Sequence, residues 1–193
     1  MKHIDLTKGN WLFQPKEVKI DTQKLTFTTS PHTDMWQKTY YGFEPNNAPM
    51  LLFDIEDMFF SFEATVASDS KVLYDQAGII LYHNPHHWMK ASIEYEDQNI
   101  QRLGSVVTTY GYSDWATTDI PQEVKLATYR LSRRNMDFKI EVSFDQIHFQ
   151  QLRIYHDPLA DGVVKLGLYA CSPQQSSFPA TFSDVLLKEC LWD

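Results

Sequence analysis

Glu94 and Glu96 stand two residues apart in "WMKASIEYE". On a strand this spacing puts both carboxyl groups on one face, about 7 Å apart, within the range of a glycosidase's acid and its partner. They are the candidate catalytic pair. Lys90 shares their face, and a neighbouring ammonium favours the ionised carboxylate, so the expectation is an ion pair or solvated edge, not an acid with a raised pKa.

A second chemistry is ligand binding. Aromatic rings stack on the flat side of a sugar, while carboxylates, amides and ammonium groups exchange hydrogen bonds with its hydroxyls. "YDQAG" supplies Asp75 and Gln76, "YSDWATTD" supplies Asp114 and Trp115, and "TDMWQKTYYGF" supplies Trp36 and Tyr40. With Lys90 and Glu94, the residues Trp36, Tyr40, Asp75, Gln76 and Trp115 make up the candidate binding set. A competing reading has Asp75 and Asp114 accepting from backbone N–H groups at turns and Trp115 filling core.

Other chemistries find less support. His83, His86 and His87 in "HNPHHW" lack helical i, i+4 spacing, an adjacent cysteine or a local carboxylate, so a solvated loop and no metal site are expected. "DQN" and "EPNN" are too sparse for a lectin-type calcium site. Ser105, Ser113 and Ser172 have no G-x-S-x-G setting, and Cys171 alternates within a strand, where a buried, inert thiol is the common case. Seven glycines spread along the chain form no phosphate loop, and no cofactor is expected.

The elements that must position these groups read as strands. Period-2 alternation marks "KLTFTTS", "FFSFEATVA", "AGIILYH", "WMKASIEYE", "GSVVTTYG", "VKLATYRLSR", "FKIEVSF", "QQLRIYH", "VVKLGLYAC" and "ATFSDVLLKE". Turn chemistry separates them at Asp69-Ser70, Asn84-Pro85, Glu96 to Asn99, Asp119-Ile120-Pro121, Arg134-Asn135 and Asp161-Gly162. Short strands at this spacing leave no room for βαβ crossovers, so an all-β sandwich or jelly roll in one domain, residues 1–193, is expected.

Alternation also assigns faces. Met89, Ala91, Ile93 and Tyr95 form one side of their strand, and Lys90, Ser92, Glu94 and Glu96 the other. If the two strands joined by "HNPHH" pair as a hairpin, Gln76 and Gly78 join the polar side. A glycine inside a strand marks close approach by something else, a ligand or a bulky neighbour such as Trp115; Gly167, beside Tyr169, repeats the pattern. The stretch Thr33 to Phe43 is apolar on neither face, which suits a strand at an edge or along a cleft, with Trp36 and Tyr40 at the rim.

Composition sets the outer bounds. A chain of 193 residues, 43% hydrophobic, has material for one sizeable core. A net charge of −8 and a pI near 5.3 argue against a nucleic-acid footprint. Two cysteines offer no disulfide framework, and the N-terminus has no apolar signal region, so a soluble cytoplasmic protein away from membranes is expected.

The blocks "DMWQKTYYGF", "YDQAGIILY", "HWMKASIEYE", "SVVTTYGYSDW", "YRLSRR", "LRIY" and "VVKLGLYACSP" followed by "FSDV" resemble, in this order, the domain-of-unknown-function family 1349 (DUF1349) of the concanavalin A-like lectin/glucanase superfamily. The resemblance implies a jelly-roll β-sandwich of two antiparallel sheets, with a curved concave sheet where related folds hold sugars. Two stretches depart from the pattern, the long hairpin "EYEDQNIQRLGSVVT" and the histidine-rich "LYHNPHHWMK". Three functional expectations follow. The first is a saccharide or polyhydroxylated ligand on the concave sheet; the second is glycoside chemistry with Glu94 and either Glu96 or Asp75; the third is an interaction or regulatory module linked to carbohydrate metabolism, with a homodimer covering the aromatic face.

Overall fold

The computed structural model describes residues 1–192. In chain order these form β1 (Lys2–His3), a 3-10 turn (Leu6–Lys8), β2 (Asn10–Leu12), β3 (Val18–Ile20), β4 (Leu25–Thr28), β5 (Met50–Ile55), β6 (Phe59–Ser68) and β7 (Gln76–Asn84). There follow β8 (His87–Tyr95), β9 (Ile100–Thr109), β10 (Tyr112–Pro121), β11 (Leu126–Arg134), β12 (Asp137–Ser143), β13 (Gln150–His156), β14 (Val164–Cys171) and β15 (Pro179–Lys188). One sheet runs β13-β12-β11-β6-β15-β4-β3, with β1 added to β15; the other runs β10-β9-β8-β7-β14-β5-β2. The pairings within both are antiparallel. The chain is therefore an all-β sandwich of eight strands on seven. Among the described residues, no helix is long and apolar enough to cross a membrane.

The core between the sheets is built from the alternating apolar sets. Ala77, Ile79 and Leu81 of β7, Met89, Ala91 and Ile93 of β8, and Leu166, Leu168 and Ala170 of β14 face Phe60, Phe62 and Ala64 of β6 and Tyr129 and Leu131 of β11 in one cluster. Each of the ten alternating segments is a strand, because each has one face to bury there. Five strands lie outside those ten: β1, β2 and β3 are only two or three residues long, and two longer ones lack the signature. β5, "MLLFDI", is buried on both faces and so reads as an unbroken apolar run. β10 is an edge strand with mostly exposed side chains, and it runs straight through Asp119 and Ile120 to Pro121, where turn chemistry had suggested a break. Proline is tolerated there because it closes an edge strand.

The stretch Thr33 to Phe43 is the main departure. It is no strand but an irregular loop with one isolated bridge, Met35 to Asn46. Lys38, Tyr40 and Gly42 adopt φ of 56°, 61° and 76°. These left-handed turns cost non-glycine residues energy and persist where the surroundings hold them. Here the holding is done by backbone bonds from Trp36 N to Pro45 O (3.1 Å), Lys38 N to Phe43 O (3.0 Å) and Ser113 N to Gln37 O (3.0 Å). The loop lies across the outer face of the seven-stranded sheet, where Met35, Trp36 and Ala48 pack with Met50, Ile80, Trp88, Tyr169 and Cys171 in a second cluster. The sheet is thus covered on both sides.

Gly78 is required by a backbone, not by a ring. A Cβ there would lie 1.9 Å from the Ala91 carbonyl oxygen of β8. Trp115 instead uses Gly104, whose Cβ would meet its Nε1 at 2.9 Å. Since the obstacle at Gly78 is backbone of a paired strand, Gly78→Ala should destabilise the domain by about 3 kcal/mol or more, at the upper end of overpacking costs. A urea midpoint unchanged from the parent's would show that the two strands separate freely at this point.

Candidate functional site

The hairpin expected from alternation forms and puts Gln76 and Gly78 on the polar face, in a register that sets Gln76 opposite Glu94, Gly78 opposite Ser92 and Ile80 opposite Lys90. β9 extends the rows, setting Arg102 beside Glu94, Gly104 beside Ser92 and Val106 beside Lys90, and β10 places Trp115 beside Val106. Three parallel rows result on the outer face. The middle one, Gly78-Ser92-Gly104, has almost no side chain. It is the floor of a trough whose walls are Gln76, Glu94 and Arg102 on one side and Lys90, Val106 and Trp115 on the other.

The loop closes the trough from above. A cavity of about 160 Å³ remains, walled by these side chains together with Asp34, Trp36, Tyr41, Phe43 and Tyr74. Trp36 meets Trp115 edge to face at 6.3 Å and Tyr41 at 5.5 Å, and Tyr41 stacks on Phe43 at 5.4 Å. A shallower depression adjoins it, sharing Trp36, Tyr41 and Trp115 and continuing over Tyr40, Tyr112 and Ser113.

Covering a polar face forces its groups to satisfy one another. Lys90, 4% exposed, donates from Nζ to Gln76 Oε1 at 2.9 Å. Tyr169 donates to the same oxygen at 2.9 Å. The Gln76 amide donates from Nε2 to Glu94 Oε2 at 2.8 Å and to the Tyr74 carbonyl at 3.1 Å. One amide orientation fits all four contacts, since a lysine only donates and must face the carbonyl oxygen. Lys90 also stands 3.6 Å from Asp34 Oδ1.

Among the described residues two buried atoms of the cavity wall lack a hydrogen bond, Arg102 Nε, which has Glu96 Oε2 2.9 Å away as an ionic partner, and one carboxylate oxygen with no such compensation. Glu94 Oε1 is buried and has no hydrogen-bond partner. The residue as a whole is only partly buried, but this oxygen is shielded from solvent. Burial raises its pKa to about 7; Lys90 opposes that rise, while the charges of Asp34 and Glu96 assist it. The expectation that Lys90 would keep Glu94 an ordinary carboxylate therefore fails, because desolvation outweighs the single cation. Near neutrality Glu94 presents either a donor or an acceptor.

The other candidates divide. Trp36, Gln76, Lys90, Glu94 and Trp115 come together around the cavity. Tyr40 does not line it: it is 94% exposed, turned outward by its positive φ, and sits in the adjoining depression. Asp75 leaves the opposite face of the chain from Gln76 and is buried with Ser176 donating to its Oδ1 at 2.7 Å, so its place in the binding set is corrected to a structural one. Burial raises its pKa. Glu96 shares Glu94's face but is drawn to Arg102, 2.9 Å between Oε2 and Nε, and does not line the cavity. Asp114 is taken by Arg153 at 3.1 Å, a tie from the eight-stranded sheet that also reaches Ser105. Alternation missed Asp34 and Tyr74. The first sits on the loop misread as a strand; the second sits in the turn before β7 with a φ of 71°, where strand parity does not apply.

The histidines are not a solvated loop. His83 and His87 both reach Asp157, Nε2 to Oδ2 at 3.0 Å and Nε2 to Oδ1 at 2.8 Å, with His87 and Asp157 buried. The carboxylate comes from 70 residues away in the chain, so no local pattern announced it. Burial raises the pKa of Asp157, but the hydrogen bonds and charge of His83, with bonds from Leu159 and His87, outweigh it and hold the group below its ordinary value. His86 stays exposed, its Nδ1 3.3 Å from Gln37 Oε1. Cys171 is a buried thiol with its pKa raised by burial, and Cys190 is also free.

Fold and site together define a β-sandwich with a covered polar pocket on the outer face of one sheet. The chain belongs to the family described as "Protein of unknown function (DUF1349)", whose profile matches residues 11–190. It is 32% identical over 183 residues to "Regulation of enolase protein 1" of Saccharomyces cerevisiae, covering 95% of this chain and 90% of that one. A crystal structure of a functionally unknown Saccharomyces cerevisiae protein superposes with a TM-score of 0.89 at 31% identity, over 97% of this chain and all of that one. The GH43 protein BlXynB of Bacillus licheniformis (K247S mutant) shares the fold over 96% of this chain and 39% of its own, with a TM-score of 0.70 at 13% identity.

Because the folded pKa of Glu94 lies above its unfolded value of 4.5, the native state holds the proton more firmly and loses stability as pH rises from about 4.5 through about 7. Carrying the charge into the site costs on the order of 3 kcal/mol. Glu94→Gln mimics the protonated form. It should match the parent near about pH 4, below the unfolded pKa, and exceed it by roughly 3 kcal/mol near about pH 8 in urea denaturation. Equal stability at both pH values would mean that the charge is compensated in place.

Proposed function

We propose that this protein binds a carbohydrate or similar polyhydroxylated small molecule in the trough of the seven-stranded sheet. The observation that carries the reading is Glu94 Oε1, buried and unpartnered in a cavity whose opposite walls are indole and phenol rings. A buried polar atom without a partner is costly in a folded chain, and a ligand hydroxyl meets that cost as donor or acceptor. Lys90 and Arg102 supply further donors, and Trp36, Tyr41 and Trp115, the last with the Arg102 guanidinium 5.9 Å over its ring, give the cavity the aromatic wall that suits a pyranose. The shallow depression over Tyr40 and Tyr112 continues from the cavity, which suits a ligand longer than one sugar ring.

A glycoside-active version rests on one further observation. The second carboxylate lining the cavity is Asp34, not Glu96 or Asp75, and Lys90 lies within 3.6 Å of it. Glu94, with a pKa near 7, has the poise of a general acid. Turnover of a bound saccharide that Glu94→Gln leaves at the parent rate would end this version while leaving binding intact.

The binding reading is tested by thermal shift and calorimetry against mono- and oligosaccharides. A ligand bound by the parent should bind at least about tenfold more weakly to Glu94→Ala, which removes the hydrogen-bonding group, and to Trp115→Ala, which removes the ring. Tyr110→Ala, an exposed ring outside the cavity, should bind as the parent does. A panel that leaves the parent unshifted while a known lectin responds overturns the proposal.

A further inference from the structure

The His83, His87 and Asp157 group lies apart from the trough, on the core-side face of the seven-stranded sheet where the β13–β14 connection closes its end. Three donor atoms, one from each residue, all lie within 4.8 Å of one another. Their convergence is built by the backbone. The β7–β8 register shifts between Tyr82 and Asn84, leaving His83 as the unpaired residue of a bulge, a device that re-aims a side chain. His87 opens β8 directly across the turn. Both rings turn Nε2 toward the same carboxylate, one to each oxygen.

Asp157 is fixed just as firmly. Its N–H bonds Met136 O at 2.8 Å, its carbonyl accepts from Ala160 N at 3.1 Å, and Leu159 N–H bonds Oδ1 at 3.0 Å. Arg133, fully buried, pins the rest of that connection through the carbonyls of Ala160 and Gly162 and, on its other side, those of Asp57 and Asn135. Its donors are spent on these carbonyls and on the Met58 sulfur. Among the described residues no lysine or arginine lies within 4.0 Å of the Asp157 carboxylate, whose ionic partners are the two imidazoles.

We propose that His83, His87 and Asp157 form a binding site for one divalent transition-type cation, zinc above all, held by two imidazole nitrogens and a carboxylate oxygen. Nitrogen-rich donor sets favour zinc and its neighbours over calcium or magnesium. Donor atoms around a tetrahedral zinc lie roughly 3.3 Å apart, given bonds of about 2.0–2.1 Å. The two Nε2 atoms now sit 3.0 and 2.8 Å from different oxygens of Asp157, and the three donor atoms lie within 4.8 Å of one another, so a cation is held once the imidazoles turn onto one oxygen, a movement of up to about 1.5 Å. Each imidazole gives its Nε2 lone pair and keeps its proton on Nδ1, so coordination exchanges one tautomer for the other and releases no proton from a neutral ring. Three protein ligands leave a fourth position for solvent or a small ligand. The approach is on the side of His83, whose side chain is 13% exposed, and of Tyr110, whose exposed ring meets His87 edge to face at 6.5 Å.

The alternative is a metal-free hydrogen-bonded latch between the hairpin and the β13–β14 connection. The experiment uses the full chain, stripped with a chelator and titrated with Zn²⁺ against a chromophoric competitor, with Co²⁺ as a spectroscopic probe. Expected are one equivalent per chain, a visible Co²⁺ spectrum of a low-coordinate nitrogen-oxygen site, and a Tm rise of several degrees at about 100 times Kd. His83→Gln, at the more exposed ligand, and His87→Gln should each weaken Zn²⁺ binding at least about 100-fold, since each removes one of three protein ligands. The paired change His148→Gln with His156→Gln, which removes two exposed histidines bonded to Asp145 and Asp137, should leave the binding unchanged. A parent that takes up no Zn²⁺, or whose uptake survives His83→Gln and His87→Gln, overturns the site and leaves the latch.

Discussion

The outer face of the seven-stranded sheet depends on a single amide. Gln76 accepts from Lys90 and Tyr169 on its oxygen and donates to Glu94 and the Tyr74 carbonyl from its nitrogen, so four groups on two neighbouring strands and a loop are satisfied through one side chain. A lysine that is 4% exposed persists only if its charge is hydrogen-bonded and partnered. The covering loop therefore had to bring Asp34 to within 3.6 Å of it. The row of minimal side chains, the cavity above it and the elevated pKa of Glu94 all follow from burying this polar network under the Thr33–Phe43 loop.

That network is complete except at Glu94 Oε1. Buried polar networks are costly when half satisfied, and proteins keep such sites where strain or desolvation serves binding or catalysis. The loop above shows the same economy. Lys38 and Tyr40 take left-handed backbone conformations, and the result is a cluster of rings facing both the cavity and its shallow extension. Outside this trough the polar candidates resolve into ties: Asp114 with Arg153, Glu96 with Arg102, Asp75 with Ser176.

A likeness to Saccharomyces cerevisiae proteins along nearly the whole chain places the molecule in its family, whereas the match to part of a GH43 protein speaks only of the sandwich. Fold alone does not carry function, which lives in a site's geometry and chemistry. For this reason the functional reading rests on Glu94, Lys90, Gln76 and the surrounding rings, and on none of the neighbours' names.

What the sequence determined by itself was everything that depends on a period of two. The ten alternating strands, the two-sheet architecture and the gathering of Gln76, Lys90, Ser92 and Glu94 on one face follow from side chains leaving a strand on alternate sides. β5 escaped because burial on both faces erases alternation, and β10 because an exposed edge strand resembles a loop in composition. The tertiary structure alone decided what covers a face. Alternation cannot distinguish a polar face in water from one under a loop, so it read Glu94 as an ordinary carboxylate and "HNPHHW" as solvated. Desolvation is set by chain far away in sequence: Asp34 and Trp36 lie over Lys90 and Glu94, and Asp157 reaches His83 and His87 across 70 residues and more. Such contacts leave no local pattern to read, because the distance that matters to a buried charge is measured through space.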